Sequence, residues 1–147
     1  MKPIIILLLL GIITQISSEY TNDTSDTDFI AKFKVTQVKP GTGNLPNIGN
    51  KVNIHYTGRF PDTNKIFDTT LELNEPLTFK LGKAEIKCFD EVVKRMKKGE
   101  RVKVICPYEL AFGENGAGGV IPPKTDLMYE IILVHIERTQ DPDHSEL

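Results

Sequence analysis

Few residues of this 147-residue chain could carry covalent chemistry, and their placement argues against it. The serines are Ser17, Ser18, Ser25 and Ser145, all near the termini. A serine hydrolase needs its nucleophile inside the folded domain, beside a base. His55, His135 and His144 show no metal-ligand spacing, and Cys88 and Cys106 form no C-x-x-C pair. Neither a metal site nor a cofactor is expected, and no P-loop or dinucleotide fingerprint occurs. What remains is a set of apolar and aromatic side chains around one stretch, Ala111 to Pro123. Gly113, Gly116, Gly118 and Gly119 reach positive φ cheaply, and Pro122 and Pro123 fix φ. The same stretch carries Phe112, Val120 and Ile121, hydrophobes for which a solvated linker has no use. Chemistry available to such a wall is noncovalent: shaping a dry hollow around an apolar group. The plainer reading is a long surface loop whose hydrophobes pin it to the core.

The elements that must hold this loop are legible from periodicity. Phe33 and Val35 open a strand that ends at Pro40-Gly41-Thr42-Gly43. In Val52 to Gly58, Val52, Ile54 and Tyr56 share one face while Asn53, His55 and Thr57 share the other, as in a half-buried antiparallel strand. Ile66-Phe67 and Leu77-Phe79-Leu81 follow as shorter extended pieces. Ile86, Phe89, Val93 and Met96 then stand at spacings of 3, 4 and 3, which predicts an amphipathic helix of about three turns closed by Lys97-Lys98-Gly99. Val102, Val104 and Cys106 alternate again before Pro107. Leu127 to Ile136 is nearly all apolar and predicts a central strand covered on both faces along part of its length. Several antiparallel strands and one helix make an α+β domain, with no internal repeat.

Composition allows one domain with a modest core: 39% of residues are hydrophobic. The formal charge is −2, and Lys94, Arg95, Lys97 and Lys98 read as the solvated end of a helix. A nucleic-acid partner is not expected. Cys88 and Cys106 could pair in an oxidising compartment, closing a loop of about 19 residues for roughly 3 kcal/mol; two buried thiols are the alternative.

The ends are of a different character. Residues 1–18 start with Lys2, run apolar from Ile4 to Ile13 and finish on Ser17-Ser18, the pattern of a secretory signal peptide. The apolar run is short for a bilayer, which needs about 20 residues, so no membrane attachment is expected after cleavage. Residues 19–32 are rich in Thr, Asn, Asp and Ser and read as a flexible polar tail. Asn22-Asp23-Thr24 is the one glycosylation sequon. Residues 139–147 end in His144-Ser145-Glu146-Leu147, similar to the H-D-E-L retrieval signal except at Ser145. The expected location is the endoplasmic-reticulum lumen, with secretion as the alternative.

Val-Asn-Ile-His-Tyr-Thr-Gly (52–58), Phe67-Asp68, Leu-Gly-Lys (81–83), Gly99-Glu100-Arg101, Leu-Ala-Phe-Gly (110–113) and Ile-Pro-Pro (121–123) occur in that order. Together they resemble the FKBP immunophilins, macrolide-binding peptidyl-prolyl cis–trans isomerases, over residues 33–138. The resemblance implies a five-stranded antiparallel sheet wrapped around one short helix, and a monomer. It implies an aromatic pocket that takes the proline ring of an X-Pro segment in unfolded or nascent chains. The pocket would comprise Tyr56, Phe67, Asp68, Phe89, Phe112 and Tyr129 as catalytic residues, with Leu77, Ile86, Val120 and Ile121 contacting substrate. Phe89 would be the floor, and the Ile86 N–H would meet a substrate carbonyl. Against the family pattern, Phe89 replaces Trp, Phe112 replaces Tyr, Leu77 replaces Phe and Tyr129 replaces Phe. These exchanges keep the pocket apolar, remove one donor and add another, and bear on affinity for macrolide inhibitors. An FKBP-fold module that binds proline-containing segments with weak catalysis is the alternative function.

Overall fold

A computed structural model of the protein describes residues 24–138. The expected signal peptide, the sequon at Asn22 and the retrieval-like terminus lie outside the described residues. Within them the order is α1 (Thr24–Phe33), β1 (Thr36–Lys39), β2 (Lys51–Arg59), β3 (Ile66–Thr69), β4 (Leu77–Lys80), α2 (Lys87–Val93), β5 (Arg101–Cys106), a 3₁₀ turn (Tyr108–Leu110) and β6 (Leu127–Glu137). All strand pairs are antiparallel. The sheet runs β1-β5-β6-β2-β3, with β4 also pairing β2. The expected five strands are therefore six. The difference arises at one edge of β2, where β4 pairs Lys51 to Ile54 and β3 pairs Thr57 to Arg59.

The alternation in β2, β5 and β6 does what period-2 patterns do: it sorts one side chain in two to each face. Val52 and Ile54 of β2, Val102, Val104 and Cys106 of β5, and Leu127, Tyr129, Ile131 and Leu133 of β6 are buried together. Register places Tyr129 between Gly58 and Val104, and Ile131 between Tyr56 and Val102. Helix α2 covers this face with Cys88, Phe89, Val92 and Val93. The other face of β6 is only half-buried at Met128, Glu130 and Ile132, so the expected double covering is partial.

Helix α2 is shorter than its apolar spacing predicts. It ends at Val93, and the chain continues through Val92 C=O to Arg95 N–H and Val93 C=O to Met96 N–H bonds of 3.0 Å each. Such three-residue steps are tighter than an α-helix and still bury Met96. At its start Asp90 accepts hydrogen bonds from the N–H groups of Gly82 (2.7 Å) and Ala84 (3.0 Å). That carboxylate ties down the segment leading to Ile86, the helix N-cap.

The polar tail expected through residue 32 is instead helical from Thr24, and the strand expected at Phe33 starts at Thr36. Phe29 and Phe33, four apart, fall on one helix face and stack at 4.7 Å. Phe33 is buried, the Arg95 guanidinium lies 4.2 Å from the Phe29 ring centroid, and Asp26 pairs with Arg95 at 3.5 Å. Two aromatic anchors suffice to dock a segment whose average composition is polar. Cys88 and Cys106 are joined by a disulfide with Cα atoms 5.9 Å apart. It links the first turn of α2 to the end of β5. No helix of the described residues is long and apolar enough to cross a membrane.

Candidate functional site

Four rings from four elements meet where α2 crosses β2 and β6. Phe89 from α2 and Tyr129 from β6 have centroids 4.9 Å apart in an edge-on contact. Tyr56 from β2 lies 5.3 Å from Phe89 and 5.8 Å from Tyr129. Phe67 from β3 meets Tyr129 edge-on at 5.8 Å. Edge-to-face packing of this kind puts positive ring edges on negative faces. Phe60, just past β2, adds a fifth ring 5.2 Å from Phe67.

This convergence depends on Gly58. A Cβ placed there would stand 2.5 Å from Phe67 Cζ and 3.0 Å from Tyr129 Cε1. The strand needs a residue without a side chain at this point so that two rings can cross it. Neither Gly58 nor Phe60 was singled out for the site from the sequence. A glycine inside an alternating strand is the available signal for Gly58, and only the tertiary contact gives it a role.

The cluster has one charged neighbour. The Tyr56 hydroxyl donates to an Asp68 carboxylate oxygen at 2.5 Å. Burial, and then this hydrogen bond, raise the Tyr56 phenol above its usual 10.0. The Tyr56 backbone N–H donates to Thr70 Oγ1 at 2.9 Å. Tyr129 is also raised, chiefly by burial. Both phenols are therefore neutral across the physiological range.

The remaining expected site residues divide. Ile121 is buried, and Ile86 and Phe112 pack half-buried against the same core. Among the described residues the Ile86 N–H has no acceptor. The glycine-rich stretch folds back on itself. Ala117 and Ile121 exchange hydrogen bonds of 2.9 and 3.0 Å, and the Lys124 N–H reaches the Gly113 carbonyl at 3.1 Å. Gly116 sits at φ 67°, and a Cβ there would overlap the backbone of Ile121 and Pro122. The turn thus tucks Ile121 inward and leaves Val120 59% exposed. Leu77, paired with Ile54 of β2, is 37% exposed.

The four rings differ in burial. Phe89 is 1% and Tyr129 0% exposed, and the half-buried members are Tyr56 and Phe67. Phe89 is flanked by the rings of Tyr56 and Tyr129. An open groove of about 730 Å³ is lined by Phe60, Pro61, Tyr108, Pro122, Lys124 and Asp126 among others. Among the described residues no group of three His, Cys, Asp or Glu side chains could hold a metal ion. The chemistry on offer is that of a dry aromatic cluster with one carboxylate-anchored phenol at its rim.

Residues 43–134 match the sequence pattern of the FKBP-type peptidyl-prolyl cis-trans isomerases. The chain is 40% identical over 106 residues to the peptidyl-prolyl cis-trans isomerase Fkbp12 of Drosophila melanogaster, covering 71% of this chain and 97% of that one. It is 36% identical over 124 residues to FK506-binding protein 2 of Candida glabrata, covering 84% and 88%. Among solved structures, a peptidyl-prolyl cis-trans isomerase from Pseudomonas syringae pv. tomato superposes with a TM-score of 0.64 at 30% identity, covering 78% of this chain and 92% of that one. The chain belongs to the FKBP-type peptidyl-prolyl cis-trans isomerase family.

Proposed function

We propose that this protein accelerates X-Pro bond rotation during the folding of secretory-pathway polypeptides. The observation that carries the reading is the ring cluster of Tyr56, Phe67, Phe89 and Tyr129, rimmed by the Tyr56–Asp68 hydrogen bond. Rotation about X-Pro is slow because it breaks amide resonance, a barrier of about 18–20 kcal/mol. No covalent step is required. The planar amide is strongly dipolar and well hydrated, and the twisted amide is less so. An apolar pocket that strips water therefore favours the twisted state, and only such differential binding speeds the reaction. Each ~1.36 kcal/mol of preference is about tenfold in rate.

Roles follow from placement. Tyr56 and Phe67, half-buried, part to admit the proline ring, and Phe89 and Tyr129 are the surface it meets. Asp68 fixes the Tyr56 ring. The Ile86 N–H, without an acceptor among the described residues, is available to a substrate carbonyl. Val120 and Leu77, both exposed, contact the residues that flank the proline. Macrolide inhibitors, apolar ligands with carbonyl groups, are a second class of occupant.

Three features support a secretory location: the apolar segment Ile4–Ile13, the retrieval-like terminus and the Cys88–Cys106 disulfide. Disulfides persist in oxidising compartments. A protease-coupled assay on an X-Pro peptide tests the activity, and immunolocalisation of the full chain tests the compartment. The second reading, a module that holds proline-containing segments without useful turnover, is favoured by the full burial of Phe89 and Tyr129. Saturable peptide binding without acceleration would select it.

A further inference from the structure

The deepest polar group of the cluster has nothing to bond. The Tyr129 hydroxyl oxygen is buried with no hydrogen-bond partner among the described residues. Its ring is held on three sides by Phe67, Phe89 and Tyr56, each turned 72–83° to it. Buried polar groups in folded proteins are nearly always paired, and leaving one unpaired costs about 1–3 kcal/mol. Phenylalanine would fill the same space without that cost. The contrast with the other phenol is direct: Tyr56 donates to Asp68 in the free protein, whereas the Tyr129 donor is uncommitted.

We propose that Tyr129 is a catalytic hydrogen-bond donor whose acceptor is the bound X-Pro amide itself, engaged once the proline ring has spread Tyr56 and Phe67. This rests on the isomerase reading of the site. Both of those neighbours are half-buried, so the Tyr129 ring packs behind side chains that solvent already reaches. The acceptor arises during rotation. In the planar amide the nitrogen lone pair is delocalised into the carbonyl. At the twisted geometry it returns to nitrogen and can accept a proton donor. A hydroxyl aimed there makes its bond only in the transition state, inside a dry site where such a bond is strong. No proton is transferred, and the phenol leaves the cycle unchanged.

The test is Tyr129→Phe in the full chain, followed by isomerase kinetics and thermal unfolding. Loss of the donor is expected to lower kcat about fivefold to tenfold with KM nearly unchanged, while the unfolding midpoint holds or rises. A variant as active as wild type overturns the proposal. So does a loss confined to KM, which would mean ground-state binding. So does a lowered midpoint that accounts for the lost activity. A wild-type protein without isomerase activity overturns the isomerase reading as well, whereas an active wild type matched by its variant overturns this proposal alone.

Discussion

The Tyr56 hydroxyl is anchored 2.5 Å from an Asp68 carboxylate oxygen across the β2–β3 pair. The ring it anchors touches both Phe89 and Tyr129. Hydrogen bonds to charged groups contribute about 1.5–3 kcal/mol when sheltered, and less when exposed as Asp68 is. Asp68→Ala is therefore expected to lower kcat/KM by about threefold to tenfold through a loosened Tyr56, with the denaturation midpoint almost unmoved. Tyr56→Phe should produce a similar loss, and the double variant little more than either alone. Fully additive losses in the double variant would show that the two side chains act separately.

Gly58 gives the second expectation. Any side chain here must displace Phe67 or Tyr129, because a Cβ would sit 2.5 Å from one ring and 3.0 Å from the other. Overpacking a filled interior costs about 1–3 kcal/mol. Gly58→Ala should lose stability in that range and should also weaken the near-ultraviolet circular dichroism of the packed rings. Activity should fall further than stability alone explains. An alanine variant with wild-type dichroism and midpoint would mean that the rings are not crowded at this point.

The parts of this fold that were legible in the sequence are those governed by local period. Val52, Ile54 and Tyr56, and then Val102, Val104 and Cys106, announce their buried face because successive side chains along a strand point to opposite faces. Helix α2 announces its face but not its length. The 3-4-3 spacing of Ile86, Phe89, Val93 and Met96 is equally satisfied by two helical turns followed by tight three-residue steps. Helix α1 was hidden because its average composition is polar, while its docking depends on Phe29, Phe33 and a distant Arg95. Within the site, the ring-forming residues were found through motif resemblance. The need for Gly58, the fifth ring at Phe60 and the unpartnered Tyr129 hydroxyl exist only once β2, β3 and β6 are side by side.

The disulfide makes the third expectation. It spans 18 positions between two fully buried residues, Cys88 and Cys106. A loop of this size contributes roughly 3 kcal/mol in the chain-entropy model. Replacing both cysteines by alanine should lower the thermal midpoint by roughly 10–20 °C for a domain of this size. Because Cys88 directly precedes Phe89 in a helix of only seven residues, kcat/KM should also fall below the transition temperature. Burial should make the native disulfide slow to reduce and the unfolded one fast. An unchanged midpoint in the double variant would remove the bond from the account of stability.

Alkaline pH supplies the last expectation, and its sign follows from the two buried phenols. Tyr129 and Tyr56 hold their protons more tightly in the folded protein than in the unfolded chain, chiefly because burial disfavours the phenolate. Above the ordinary value of 10.0 the unfolded chain releases protons that the folded state retains. Unfolding then becomes more favourable as pH rises, so the contribution of these groups is complete below about pH 10 and is lost progressively above it. Denaturant midpoints measured from roughly pH 8 to about pH 11 should be flat at first and then decline. Tyr129→Phe removes one of the two groups, so its curve should decline less steeply than that of wild type, whatever the lysines contribute to both. Parallel curves would mean that Tyr129 titrates alike in the folded and unfolded protein, which would be incompatible with a hydroxyl sealed among Phe67, Phe89 and Tyr56.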